Sequence, residues 1–466
     1  MTEPVALVAD EQTYTMRDLQ ALAGGLARTL HRGGVRPGDR VALMSSSRPE
    51  FVVAILAIWQ LGSVVVLFSP SWRRADTEHA IAITRPAYAV GDHPVLRSLM
   101  PMISLDDPIS PVHAAMAGAD DDADALMVFS SGTTGLPKAV RHTHASLRTA
   151  VQQWRDALGL TAADRIQVTT PPSHILGLLN VVTALETGIW MRLHPRFDLD
   201  KMLHHIEADQ ITVEMAVAPI ALAMAAHARL ESYDLSSLRY IMWGATPVTE
   251  SVARTVTKRT GVGWLPAYGA SELPVIACNP LSEPRLDSPG RAVSGVRLRV
   301  RSLDTGIIVR PGESGEIEAQ SPSLMAGYLP DDATAHAIVD DWYRTGDVGT
   351  LDAGGWLRLT GRSKEMIKVR GFQVAPAEVE TVLFTHPAVG DCAVFGIPDP
   401  ASGEAVVAAV SANGQVGAGD LIGLVRDQLA AYKVPSHVMF LDEIPRLPSG
   451  KVLRRTLTEL YRSGAE

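Results

Sequence analysis

The chain has 466 residues, 46% of them apolar and 20% charged, with a net charge of −9. So much apolar chain excludes a disordered protein, and the length favours two or more domains. The acidic balance argues against a nucleic-acid partner, although loops and helix N-termini can still hold anions locally.

Met1-Thr2-Glu3-Pro4 has no basic segment ahead of an apolar run, so no signal peptide is expected. Leu19, Leu22, Leu26 and Leu30 fall on one face of a helix over 15–32. Residues 41–44 read as a buried strand. The apolar tract 51–68 is interrupted by Gln60, Gly62 and Ser63, which makes it a helix over 51–61 and a strand over 64–68 instead of a membrane span. The Asp-rich stretch 120–124 reads as a solvated loop, followed by an apolar strand over 126–129. Beyond a glycine-rich loop come a helix over 144–158, strands near Ile166 and Ile189, and a helix over 218–230. This strand–helix rhythm predicts a layered α/β domain with a largely parallel sheet.

After Ser288 the texture changes to short alternating segments over 296–300, 315–319 and 356–360, set between Gly, Pro and Asp turns. They predict an antiparallel, barrel-like subdomain. From Ser363 a small α+β unit is expected, with helices over 377–385 and 419–430 and strands over 391–396 and 405–410. The predicted organisation is α/β: a large N-terminal domain over 1–361, and a small mobile α+β domain over 362–466. The polar turn Gly361-Arg362-Ser363-Lys364-Glu365 suits a hinge between them. Cys278 and Cys392 are the only cysteines, far apart and without a Cys-x-x-Cys. Zinc and disulfide chemistry therefore lack support, and a reducing, cytoplasmic location is expected.

The sharpest local feature is Ser130-Ser131-Gly132-Thr133-Thr134-Gly135-Leu136-Pro137-Lys138. Glycines let the backbone curl so that several N–H groups face one point, hydroxyls add donors, and Lys138 supplies charge for a β- or γ-phosphate. The spacing is not that of the common P-loop, in which Gly-Lys-Ser/Thr opens a helix.

The order of these nine residues resembles the phosphate loop of the adenylate-forming superfamily, which includes acyl- and aryl-CoA ligases, peptide-synthetase adenylation domains and beetle luciferases. Ala139 stands where that family usually has glycine, a methyl group that would narrow the loop's freedom. Tyr268-Gly269-Ala270-Ser271-Glu272 is similar to a second family block, and Trp342-Tyr343-Arg344-Thr345-Gly346-Asp347 to a third. The run from Gly361 to Glu378 resembles hydroxycinnamate-CoA (4-coumarate-CoA) ligases of the plant type. Pro445-Arg446-Leu447-Pro448-Ser449-Gly450-Lys451 resembles the last family block. Gly315-Glu316-Ile317 and Met325-Ala326-Gly327-Tyr328 match a further block, read as structural.

The resemblance implies roles residue by residue. The nucleotide would be held by Ser130, Ser131, Gly132, Thr133, Thr134, Lys138, Gly244, Ala245, Tyr268, Ser271, Asp347, Arg362 and Gln373. Tyr268 would lie against adenine, Ser271 would touch the α-phosphate, Asp347 would accept the ribose hydroxyls, and Arg362 would reach ribose or phosphate. Glu272 would help hold Mg²⁺, a hard cation that takes carboxylate and phosphate oxygens. Lys451 would be the catalytic cation between the acid and the α-phosphate. Lys368 would face the adenylate, Arg370 and Gly371 would border a CoA channel, and Lys364 would mark the hinge. The acid pocket is expected at His174, a gate, with Val217, Trp243, Ala267, Gly269, Ala270 and Leu273. No acidic or basic group stands out among them, which favours an apolar acid, whether aryl, fatty or polycyclic.

The implied activity is an acid–thiol ligase of the AMP-forming acyl-CoA synthetase type, using ATP, Mg²⁺ and CoA. The C-terminal domain would rotate between half-reactions, withdrawing Lys451 and bringing in residues 368–371. Transfer to a carrier-protein phosphopantetheine, a ligase efficient in only one half-reaction, and a homodimer stay open. A non-catalytic binding protein is opposed by intact Lys451, Glu272 and Asp347.

Overall fold

The computed structural model describes residues 3–113, 120–130, 137–246, 248–370, 372–400, 402–447 and 450–464. Two sheets form the large N-terminal part. The seven-stranded sheet runs in the order Gly327–Leu329, Lys138–Thr143, Asp124–Ser130, Val64–Leu67, Arg40–Met44, Tyr88–Gly91, Met102–Ser104. Its last five strands are parallel, whereas Lys138–Thr143 and Gly327–Leu329 are antiparallel additions.

The second sheet has 14 strands. Val5–Ala9, Trp190–Leu193, Arg165–Val168, Val213–Ala216, Tyr240–Trp243 and Trp264–Tyr268 pair in parallel. At Tyr268 the pairing turns antiparallel, through Ala277–Cys278 and Gly290–Ala292 into Trp356–Arg362, Trp342–Leu351, Ser314–Gln320 and Arg297–Arg301. The antiparallel region expected after Ser288 is therefore joined edge-on to the parallel sheet.

Four helices fill the space between the sheets and share one apolar core with both. Met16–Arg32 starts at Thr15, whose hydroxyl accepts from the Asp18 N–H at 3.1 Å while the Asp18 carboxylate accepts from the Thr15 N–H at 2.9 Å. This reciprocal cap satisfies two of the orphan donors at the helix start. Leu19, Leu26 and Leu30 on its inner face are buried. Pro49–Gln60 is apolar almost all round and buried from Phe51 to Ile55. A helix of that kind belongs between layers, so the tract 51–68 is a buried helix and strand, as expected. His144–Ala157 and Ile175–Thr187 pack side by side, with Trp154 Nε1 donating to Asn180 Oδ1 at 2.8 Å. Among the described residues no helix is long and apolar enough to cross a membrane.

The smaller C-terminal part is built on a five-stranded sheet: Phe372–Val374, Ile367–Val369, Gly403–Ala412, Val389–Asp399 and His437–Phe440. Its two apolar clusters draw only on residues from Ile367 onward.

A polar chain crosses the core of the large sheet. Glu214 is fully buried, and its carboxylate accepts from Gln167 Nε2 at 2.6 Å and Thr169 Oγ1 at 3.0 Å. Gln167 Oε1 in turn lies 2.7 Å from His194 Nε2. Burial pushes the Glu214 carboxyl up to about 7, against the opposing hydrogen bonds. Burial likewise pushes His194 down to about 4. Between pH 4.5 and about 7 the folded chain keeps a proton on Glu214 that the unfolded chain has lost, so this group makes stability fall as pH rises through that window. Glu214→Gln should remove that slope, about 1.4 kcal/mol per pH unit. Urea unfolding of both proteins from pH 5 to 8 checks it, and parallel stability curves would contradict it.

Candidate active site

The phosphate-loop candidate lies in sequence between two strands that pair with each other. Asp124–Ser130 and Lys138–Thr143 pair antiparallel, with Ser130 opposite Lys138. Ser131, Gly132, Thr133 and Thr134 lie outside the described residues. At the base, His79 Nε2 from the helix Arg74–Thr84 lies 2.9 Å from the Pro137 carbonyl oxygen. The Lys138 ammonium sits 5.2 Å from the centroid of the Tyr328 ring. Ala139 is fully buried, opposite Phe129 on one side and Leu329 on the other. Its methyl packs in a cluster with Met44, Val66 and Met127. The expectation that this methyl narrows the loop is thereby corrected, since Ala139 is a ladder residue filling core space.

The second block follows the strand Trp264–Tyr268 as a tight turn. The Ala270 N–H donates to the Leu273 carbonyl at 2.9 Å and the Ile276 N–H to the Tyr268 carbonyl at 2.9 Å. Gly269 is needed here because a Cβ would come 2.0 Å from the Pro274 carbonyl oxygen. Three tethers fix the turn. His142 Nε2 lies 2.7 Å from the Ser271 carbonyl oxygen, the Met325 N–H donates to the Glu272 carbonyl at 2.9 Å, and the Tyr328 hydroxyl donates to Glu272 Oε1 at 2.7 Å. Burial pushes the His142 imidazole down, outweighing Glu272 and Asp124; it is neutral and donates from Nε2. Glu272 is buried, with its carboxylate directed by Tyr328.

The third block supplies Asp347, opposite Arg362 across the strands Trp342–Leu351 and Trp356–Arg362. Arg362 Nε lies 2.9 Å from Asp347 Oδ1, and the Tyr268 hydroxyl donates to Asp347 Oδ2. Burial raises the Asp347 carboxyl, while Arg362 and Tyr268 oppose it. Burial also raises the Tyr268 phenol, which therefore stays protonated as the donor.

Lys451 comes from the C-terminal part and lies within electrostatic reach of this cluster. Burial lowers its ammonium, as does the Arg362 cation, with Glu365 and Asp347 acting in the opposite sense. Its loop is held by Arg446, which forks onto Asp391 at 3.0 and 2.8 Å and donates to the Gly450 carbonyl at 2.8 Å. The Leu447 N–H donates to the Lys451 carbonyl at 2.8 Å. Gly450 has φ +84°, and a Cβ there would stand 2.8 Å from Pro219 Cδ at the start of the helix Ala218–Ala226. The Lys451 loop thus rests directly on the large N-terminal part.

The structure does not bring the other C-terminal candidates to this cluster. Lys368 and Gln373 face each other across the strands Ile367–Val369 and Phe372–Val374, and both are exposed. Arg370 is exposed in a left-handed conformation, φ +51°, its N–H donating to the Ser402 carbonyl at 2.7 Å. Gly371 lies outside the described residues, and Lys364 is exposed at the turn. Lys368 and Gln373 stand on a hairpin at the edge of the small sheet.

The acid-pocket candidates divide. His174 precedes the helix Ile175–Thr187 without a side-chain capping bond, and burial pushes its imidazole down, leaving it neutral. Ala267, Gly269 and Ala270 are half-buried along the turn, and Val217 is buried at the start of Ala218–Ala226. Gly244 donates its N–H to the Ala216 carbonyl at 3.1 Å, and Ala245 is exposed at φ +65°. Trp243 and Leu273 need correction as lining residues. Trp243 is 1% exposed, with its ring 5.0 Å from Trp264. Leu273 is fully buried with Ile276 and Ile317. Both are core side chains, on segments covered from both faces.

Among the described residues no cluster of three or more metal-ligating side chains occurs. A hard cation that takes most of its oxygens from phosphates and water needs only one carboxylate, and the directed carboxylate of Glu272 fits that demand. Sequence reasoning missed His142, Tyr328 and His79. The one available signal was a polar histidine just after the apolar pair Ala139-Val140.

Comparison with known proteins bears on the whole chain. The family described as AMP-binding enzyme matches residues 2–329, and the AMP-binding enzyme C-terminal domain matches residues 378–451. The chain is 34% identical to the indoleacetate–CoA ligase of Aromatoleum aromaticum, over 97% of this chain and 94% of that one. It is 32% identical to 4-coumarate–CoA ligase 2 of Nicotiana tabacum, over 98% and 91%. The ATP-bound crystal structure of MatB from Rhodopseudomonas palustris superposes with a TM-score of 0.93 at 26% identity, covering 100% of this chain and 97% of that one. The chain belongs to the AMP-binding enzyme family, in its acyl-CoA ligase branch.

Proposed function

We propose that the chain activates an apolar carboxylic acid with ATP, as an acyl-adenylate, and passes the acyl group to CoA. The observation that carries this reading is the Gly450–Lys451 loop packed on Pro219 of the large part, with Arg362 and Asp347 acting on the Lys451 ammonium, while Lys368 and Arg370 stay exposed. That is the arrangement the first half-reaction needs. The acid and the α-phosphate are both anionic, and a partly desolvated ammonium between them neutralises charge as the new P–O bond forms and pyrophosphate leaves.

In this reading Asp347 accepts the ribose hydroxyls, Tyr268 flanks the base, and Lys138 with the phosphate loop receives the β- and γ-phosphates. Mg²⁺ at Glu272 would add charge neutralisation on the phosphates. A neutral His174 and the small residues Ala267, Gly269 and Ala270 leave an uncharged seat for the acid, which suits an aryl, fatty or polycyclic group. The boundary near residue 361 is the proposed hinge. For the thiol step the Lys451 loop would withdraw, and the exposed Lys368 and Arg370 would turn toward the adenylate.

The relatives' names support an acid–thiol ligase and leave the acid open. Incubating the chain with ATP, Mg²⁺, CoA and a panel of aryl, fatty and polycyclic acids should give AMP and a thioester for at least one apolar acid. A phosphopantetheinylated carrier protein in place of CoA should give less product. No acid-dependent pyrophosphate exchange across the panel would contradict the reading. A second expectation concerns the Lys451 seat. Gly450→Ala should slow adenylate formation about tenfold, since left-handed backbone costs an alanine roughly 1–2 kcal/mol, and its methyl meets Pro219. Thioester formation from supplied acyl-adenylate should change less. Single-turnover kinetics of the two halves separate these outcomes, and equal slowing of both would count against the seat.

A further inference from the structure

Tyr328 touches both charged arms of the phosphate site. Its hydroxyl donates to Glu272 Oε1 at 2.7 Å, and its ring lies 5.2 Å below the Lys138 ammonium. The side chain is 7% exposed. It is fixed at the backbone by the strand Gly327–Leu329, where Tyr328 stands opposite Val140, and by its N–H donating to Thr334 Oγ1 at 2.9 Å. The ring is therefore held as a wall by an edge strand that pairs with the Lys138–Thr143 strand.

An aromatic face attracts an ammonium without neutralising it, and a phenol aims a carboxylate without consuming its charge. Without this wall, the flexible lysine is free to close on the carboxylate, and each group would then be spent on the other. With it, the cation stays available to phosphate and the anion to a metal. We propose that Tyr328 is a positioning residue that holds Lys138 and Glu272 on separate parts of one side chain, so that the empty site keeps one charge for the phosphates and the other for the divalent cation. This rests on the nucleotide reading of the site given above, and it assigns Tyr328 a role beyond packing.

The two contacts can be removed separately. Tyr328→Phe keeps the ring under Lys138 and deletes only the hydrogen bond to Glu272. Calorimetric titration of the full chain with ATP plus Mg²⁺, and with ATP plus EDTA, should show metal-bound ATP weakened about tenfold, the usual worth of a hydrogen bond to a charged group. Metal-free ATP should bind within about twofold of wild type, because the ring contact is intact. Tyr328→Leu removes both contacts and should weaken both titrations. Thermal melting reports whether each variant is folded; if the leucine variant is not, the phenylalanine variant decides alone. A folded Tyr328→Phe that binds metal-bound ATP as wild type does, or loses both forms equally, overturns the proposal. A wild-type chain that binds ATP in neither condition instead overturns the nucleotide reading itself.

Discussion

At Gly450 the C-terminal part of this protein lies close against the large N-terminal part. Its left-handed backbone, φ +84°, and the 2.8 Å that would separate a Cβ from Pro219 Cδ allow the Lys451 loop to lie flat on the large part. In the proposed reading the adenylation chemistry depends on that contact, because the cation for the Asp347, Arg362 and Tyr268 cluster comes from the C-terminal part. The Arg446 fork on Asp391 stiffens the loop from the other side. The proposed catalytic cation comes from the C-terminal part to a site built on the large sheet, so in the proposed reading packing sets its position and a rigid-body turn would release it.

The remaining site is a problem in holding opposite charges apart. Glu272, Asp347, Arg362, Lys138 and Lys451 converge on one region, and buried charges are costly unless paired. Tyrosines and a neutral histidine do much of the pairing. Tyr268 serves Asp347, Tyr328 serves Glu272, and His142 holds the backbone of the Ser271–Glu272 turn. Protonated phenols and neutral imidazoles direct a carboxylate or a carbonyl without cancelling its charge.

Much of this was legible in the sequence, for reasons that can be named. Helical spacing exposed Met16–Arg32, and the break at Gln60–Ser63 split the apolar tract correctly into Pro49–Gln60 and Val64–Leu67. Fixed residue order marked the phosphate hairpin, the 268–272 turn, Asp347 and Lys451. The strand Lys138–Thr143 was missed because its residues follow a glycine-rich loop and run straight into a helix, with little alternation to mark them. Trp243 and Leu273 were placed in the pocket by resemblance and are buried core side chains here, and periodicity cannot tell a pocket face from a core face when both are covered. His142 and Tyr328 were illegible for another reason. Their partners lie 129 and 56 residues away, and only the sheet brings them together.

The central claim is that Lys451 acts in the first half-reaction and leaves for the second. The most direct test is rapid-quench measurement of both halves in Lys451→Ala, with an acid that the wild type accepts. Formation of acyl-adenylate and pyrophosphate should fall roughly 100- to 1000-fold, the usual effect of removing one transition-state charge partner. Transfer to thiol from a supplied acyl-adenylate should proceed near the wild-type rate. An unchanged first half, or equal loss in both halves, would contradict the account.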